Sequence, residues 1–226
     1  MIFSFPLNRS RPLTMSFAVL LTWSWTVFSF AADKPEPPKK IASETFDTIK
    51  DAVKNKTVLE TKTVGPGDRS IISSPPDGAI LIGFDIMLKP KEDVISALRP
   101  IFHDNKGTQI NGPTIGTPSP RVIKTRAKPG YAVGGVTLRS GSDLNAMIVT
   151  YMETQPDRLN VKNSYDTDLL GGPGGIAYQL GGDGAVVIGL TGKHNDHFIL
   201  GMSLLTVPLP KPAEKKEPAE KAEPAT

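Results

Sequence analysis

One pattern constrains this chain more than any other: a unit of apolar run, glycine, polar break and second apolar run occurs three times. The runs "AILIGFDIML" (79–88), "YAVGGVTLRS" (131–140) and "AVVIGLTGKH" (185–194) each carry mostly apolar residues before a glycine, at Gly83, Gly134 and Gly189. Each is followed by a polar break holding Asp93, Asp143 or Asp196, and then by "VISALRPIF", "LNAMIVTYM" or "FILGMSLLTV". A Gly-Pro pair stands upstream of each unit, at 65–66, 112–113 and 172–173. Short β-branched and apolar runs broken by Gly, Pro, Asn and Asp read as strands and turns. Three copies at a regular period read as a repeat architecture.

One antiparallel sheet buries only one face, so three such sheets must pack against one another around a pseudo-threefold axis. The third unit runs out of chain soon after Val207, whereas "TVLETKTV" (57–64) precedes the first unit and has no partner there. We expect 57–64 to close the third sheet, joining the two ends of the domain and covering an otherwise open edge. The expectation is an all-β domain over 57–210, with three four-stranded sheets. Before it, Phe46, Ile49 and Val53 recur at spacings of three and four, which predicts a short amphipathic helix within 43–56.

The flanks differ in kind. Arg9 and Arg11 precede an apolar run from Ser16 to Phe30, with small residues at Ser29, Ala31 and Ala32. That is the layout of a secretory signal peptide over 1–31, with cleavage expected after Ala31. A retained anchor is the alternative, although the run falls short of spanning length. The Pro/Lys-rich linker (32–42) and the Pro/Ala/Glu/Lys tail (211–226) have too little apolar content to offset their ordering entropy, and are expected to be disordered. The expected location is therefore secreted or periplasmic, at the cell envelope, with no stable membrane span after cleavage.

Charge and cysteine content narrow the function. The full chain is formally +3, but residues 41–210 hold 17 basic and 17 acidic residues. A neutral domain lacks the footprint expected of a nucleic-acid binder. There is no cysteine, so thiolate metal sites and cysteine nucleophiles are excluded and the core alone must hold the fold. "GPGGIA" (172–177) fits a dinucleotide pattern in letters only, because no helix signal follows it. No constellation of acids or bases suggests an enzyme, and no cofactor is implied. Arg99, Arg121 and Arg126 read as solvated strand-face charges, and His103 as a surface residue at a strand end.

The richest polar cluster is His194-Asn195-Asp196-His197, between the two apolar runs of the third unit. It reads as a polar turn, a ligand loop or, less favourably, a metal site. Two histidines three apart on a turn need not converge, and no third lies near in sequence. Asp recurring in all three units favours a plain turn residue.

At this point the third unit resembles the jacalin-type lectins, whose fold is β-prism I. "YQLGGDGAVVIGLTG" is similar to their closing repeat, Gly192-Lys193-His194-Asn195-Asp196 matches their sugar-binding G-x-x-x-D motif, and "HFILGMSLL" matches the strand after it. The resemblance covers about 57–207. It implies a non-catalytic protein that binds glycans, with Asp196 accepting sugar hydroxyls and Lys193 and His194 offering main-chain N–H groups. It also implies an opposing glycine loop, Gly65 and Gly67 in "VGPGD", contributed from the neighbouring sheet. The other two units lack a complete motif, so one site is expected. A structural or envelope-interaction module on the same scaffold is the alternative, and a homo-oligomer is compatible with either.

Overall fold

A computed structural model describes residues 40–75, 78–195 and 197–210. The signal segment, most of the linker, the tail and Asp196 lie outside the described residues. The chain begins with helix α1 (Ser43–Lys54), then β1 (Leu59–Glu60) and β2 (Arg69–Ser73). One sheet follows from β3 (Ile80–Leu88), β4 (Ile95–His103), β5 (Gln109–Asn111), β6 (Ile115–Gly116) and β7 (Val122–Arg126). A second comprises β8 (Tyr131–Ser140), β9 (Leu144–Thr154), β10 (Leu159–Asp166), β11 (Leu170–Gly171) and β12 (Ile176–Gly181). The chain closes with β13 (Val187–His194) and β14 (Ile199–Thr206).

Each sheet is a four-position antiparallel ladder. In the first the order is β5-β4-β3-β7, with β6 continuing the β5 position; in the second it is β10-β9-β8-β12, with β11 continuing β10. The third sheet, β1-β14-β13-β2, draws its outer strands from the start of the chain. Leu59 pairs with Thr206, Glu60 with Leu205, and Val64 bridges Met202, so 57–64 does close this sheet. It does so as an edge strand, so it moves the open edge rather than removing it. The sequence reading also missed β2, which pairs with β13 on the other side. Its residues are mostly exposed and show no apolar alternation.

The register refines the repeat. Every central hairpin carries two bulges: after Leu81 and Met87 in the first, after Val133 and Arg139 in the second, and after Val187 and Lys193 in the third. The glycine just past the first bulge is Gly83, Gly135 or Gly189, so Gly135 and not Gly134 holds the equivalent place. Gly134 sits in the bulge, where a Cβ would fall 2.4 Å from the Met152 sulfur. The upstream glycines shift too. A Cβ on Gly65, Gly116 or Gly171 would meet the carbonyl oxygen of Leu200, Ser96 or Asn145 at 2.3–2.4 Å, which makes these three the matching set in place of the Gly-Pro pairs.

Two apolar clusters result. The larger fills the prism, with Phe84, Ile86, Leu98, Leu138, Tyr151, Leu190 and Leu204 among its members. The second lies at one end, where Ile80, Ala132 and Val186, each three residues before its equivalent glycine, meet Phe46, Ile49 and Ala52 of α1. The predicted helix is thus a cap across that end of all three sheets. Fully burying Phe46 and Ile49 stabilises the cap by roughly 1.5–3 kcal/mol each. Thr45 adds a hydrogen bond to the Gln155 carbonyl at 2.9 Å.

Two of the arginines are not solvated face charges. Asp85, 1% exposed, accepts hydrogen bonds from Arg99 and from Arg126, the latter at 2.6 Å. Burial raises its pKa, but the bonds from the two guanidiniums outweigh that and hold the carboxyl below its ordinary value.

Candidate functional site

The central strands of all three sheets run from the helix-capped end to a loop end. Given about 3.3 Å per residue, the two ends lie roughly 25–30 Å apart. At the loop end β13 delivers Lys193 and His194 to a tight connection, 195–198, before β14 begins. The Asn195 N–H donates to the Phe198 carbonyl at 3.1 Å. Asn195 Oδ1 accepts from the His197 and Phe198 amides at 2.8 and 2.6 Å, so this side chain builds the turn. His194 Nδ1 lies 2.7 Å from the Asn195 carbonyl oxygen. A carbonyl only accepts, so Nδ1 carries the proton and Nε2 is left as the acceptor of the neutral ring.

The glycine loop meets this hairpin directly. After Val64 the chain turns through Gly65-Pro66-Gly67 and returns as β2, with Arg69 opposite His194 and Ser70 opposite Lys193. Gly65 has φ +89° and its Cβ would fall 2.3 Å from the Leu200 oxygen. Gly67 has φ +134° and its Cβ would lie 3.0 Å from both His194 N and Lys193 Cβ. Only glycine fits both backbone shapes at that closeness. The structure therefore brings Gly65, Gly67, Lys193 and His194 together. It does so within one sheet, because the chain's first strands belong to the third sheet; the expected contribution from a neighbouring sheet is corrected accordingly.

Gly192 has a different role. It lies inside β13, paired with Ile71 and Met202, and its absent side chain makes room for Ile115, whose Cδ1 is 2.7 Å from the Cβ position. It is a packing glycine and contributes no loop backbone. Asp196, the remaining motif residue, lies outside the described residues.

The other two hairpin loops converge on the same end. Lys89 Nζ, from the first, is 3.0 Å from Asp143 of the second and 4.3 Å from the ring centroid of Phe198 in the third. Arg121 holds Asp93 at 2.8 Å and also donates to the Lys89 and Glu92 carbonyls. The three break aspartates are not equivalent. Asp143 immediately precedes its returning strand, Asp93 stands two residues before its own, and Asp196 three. Phe198 is the aromatic residue that the sequence reading overlooked beside this loop; its adjacency to the turn was the available signal. Among the described residues, no three His, Cys, Asp or Glu side chains converge on a metal-sized site.

No family model matches the chain, and no curated protein does. Solved structures match in fold. Malaysian banana lectin is 13% identical, with 67% of this chain and 99% of that one covered at a TM-score of 0.51. Calystegia sepium agglutinin is 13% identical over 65% and 95%, also at 0.51. Artocarpin in complex with mannotriose is 14% identical over 66% and 97%, at 0.50. The resemblance to jacalin-related lectins is thus borne out at the level of fold, and the chain is an all-β protein with the β-prism architecture.

Proposed function

We propose that this chain is an exported, non-catalytic carbohydrate-binding protein whose site is the junction of the 65–67 and 193–196 loops. One observation carries the reading: Gly67 lies against the Lys193–His194 backbone, so two segments distant in sequence meet at the hairpin that carries the G-x-x-x-D motif. Such a junction suits a sugar, because a carboxylate accepts from adjacent hydroxyls while glycines let the ring approach the main chain. The solved proteins of this fold include a complex with mannotriose, which makes hexose-containing glycans the first ligands to try. Export rests on the leader pattern of residues 1–31.

The test is a glycan array probed with the wild type and Asp196→Ala. Wild-type binding that the variant loses, with an unchanged β-sheet circular dichroism spectrum, is the expected result. Each charge-assisted bond to the carboxylate is worth roughly 1.5–3 kcal/mol, so loss of two removes measurable affinity. A wild type that retains no glycan ends this reading. A second reading, an envelope-interaction module without sugar binding, draws on Asn195, whose Oδ1 already engages two of the loop's amides. It is supported by capture from envelope fractions that neither Asp196→Ala nor free sugar reduces.

A further inference from the structure

At the opposite end of the prism, a cavity of about 470 Å³ opens between the start of α1 and the connections that follow β4 and β7. Its size falls in the range of small-ligand sites, which are concave and apolar with a few placed polar groups. Ile41, Phe46 and Ile82 give it an apolar wall, and Tyr131 adds an aromatic face. Phe46 and Ile82 are themselves part of the cluster under the helix, so this wall is fixed by the packing of the cap.

The polar groups around that wall are mostly of one sign. Lys40, Lys106 and Lys128 line the cavity and are exposed. Lys128 Nζ lies 4.4 Å from the centroid of Tyr165, which packs against the lining residue Tyr131 at 5.3 Å. The acid in the lining, Asp104, is the one opposing charge there, and its Oδ1 accepts from the Lys106 and Thr108 amides at 2.9 and 2.7 Å within its own turn. His103 stands half-buried beside it. The start of α1, between lining residues Ile41 and Phe46, has no side-chain cap at Ala42, which leaves positive dipole charge on this side. Glu44 stands in the first turn, and Ser43 donates to it at 3.3 Å.

We infer that this cavity is a second ligand site, separate from the glycine-loop junction, for a small amphipathic anion: an aromatic or aliphatic body carrying one carboxylate, phosphate or sulfonate. The body fills the wall of Ile41, Phe46, Ile82 and Tyr131. The anionic group sits at the mouth lined by Lys40, Lys106 and Lys128, where lysines outnumber the one lining carboxylate, Asp104. Hydrogen bonds from cations to an anion are the stronger kind, and a partly enclosed mouth screens them less than open surface does. A neutral sugar, with hydroxyls on every side, does not match this wall.

The experiment is calorimetric titration of the full chain with naphthalene-2-sulfonate and with its neutral counterpart naphthalene-2-sulfonamide. The expected result is saturable one-site binding of the sulfonate that free mannose does not displace, with the sulfonamide at least tenfold weaker. Lys106→Gln and Lys128→Gln, both at exposed positions, should each weaken the sulfonate on the order of tenfold and leave the sulfonamide unchanged. Absence of saturable sulfonate binding overturns the inference. So does equal affinity for the two probes, or binding indifferent to both substitutions. A charge-reversed variant, Lys106→Glu, guards against a small effect being missed, because it should abolish sulfonate binding while the unfolding midpoint stays within about 2 °C of wild type.

Discussion

At the helix-bearing end the three sheets present Ile80, Ala132 and Val186 at matching positions, and one helix closes over them. At the other end the matching hairpins carry connections of different length, 89–94, 141–143 and 195–198, tied by polar contacts through Lys89. The contrast shows where the threefold regularity is enforced. Under the helix each sheet must offer a surface of similar depth, and a departure is compensated at once: where Ile82 and Ile188 have Gly134 as their counterpart, the Met152 side chain fills the space. At the loop end the backbone faces water, a residue gained or lost costs little, and the three loops have diverged in length and charge.

That contrast can be broken most forcefully at the capped end. Phe46→Ala should cost about 3–5 kcal/mol, measured by denaturant unfolding, because it opens a cavity shared by the helix and the sheets. The glycan binding proposed above should be unchanged at a temperature where the variant stays folded, so a parallel loss of binding would show that the two ends are not independent.

The next effect belongs to the ionic cluster in the first sheet. Asp85→Ala leaves two guanidiniums facing each other and should cost roughly 2–3 kcal/mol, toward the low side for a broken buried pair because both arginines remain about a third exposed. The sign of its pH dependence follows from the lowered folded pKa. The stabilisation is present above the ordinary carboxylate range near pH 4 and is lost as pH falls through the folded value. The wild type should therefore lose more stability than Asp85→Ala between pH 5 and pH 2, and identical acid profiles would refute this.

The smallest effect sharpens the loop end. Lys89→Met removes the contact to Asp143 and the cation over Phe198 but keeps the aliphatic stem, so about 1 kcal/mol should be lost. Amide exchange should speed up in the three hairpin connections and not under the helix.

These regions also differed in how far they could be read from sequence. The sheets were legible because apolar runs broken by glycines mark buried strands, as in β3, which is buried along its whole length, and α1 because Phe46 and Ile49 lie on one face. The edge strand β2 was not, since its exposed "RSIIS" owes its place to pairing with Lys193 and His194 rather than to burial. The glycine equivalences slipped by a residue or more where adjacent glycines, Gly134-Gly135 and Gly171-Gly172, offer two alignments and only backbone register chooses. In the candidate site, the convergence of Gly67 on Lys193 was anticipated through the resemblance. The packing role of Gly192 was not, because Ile115, which it accommodates, comes from another sheet far away in sequence. Nor was the engagement of Arg99 and Arg126 by Asp85, which depends on three strands lying side by side.

The helix cap also sets how the domain is presented. Lys40 lines the cavity beside the cap, and Val207, which follows the last strand, packs in the cluster under it. Lys40 and Val207 therefore both lie at the foot of the domain, and the glycine-loop junction stands at its crown. A surface or protein held at Lys40 and Val207 would grip the domain by its foot and leave the crown turned outward.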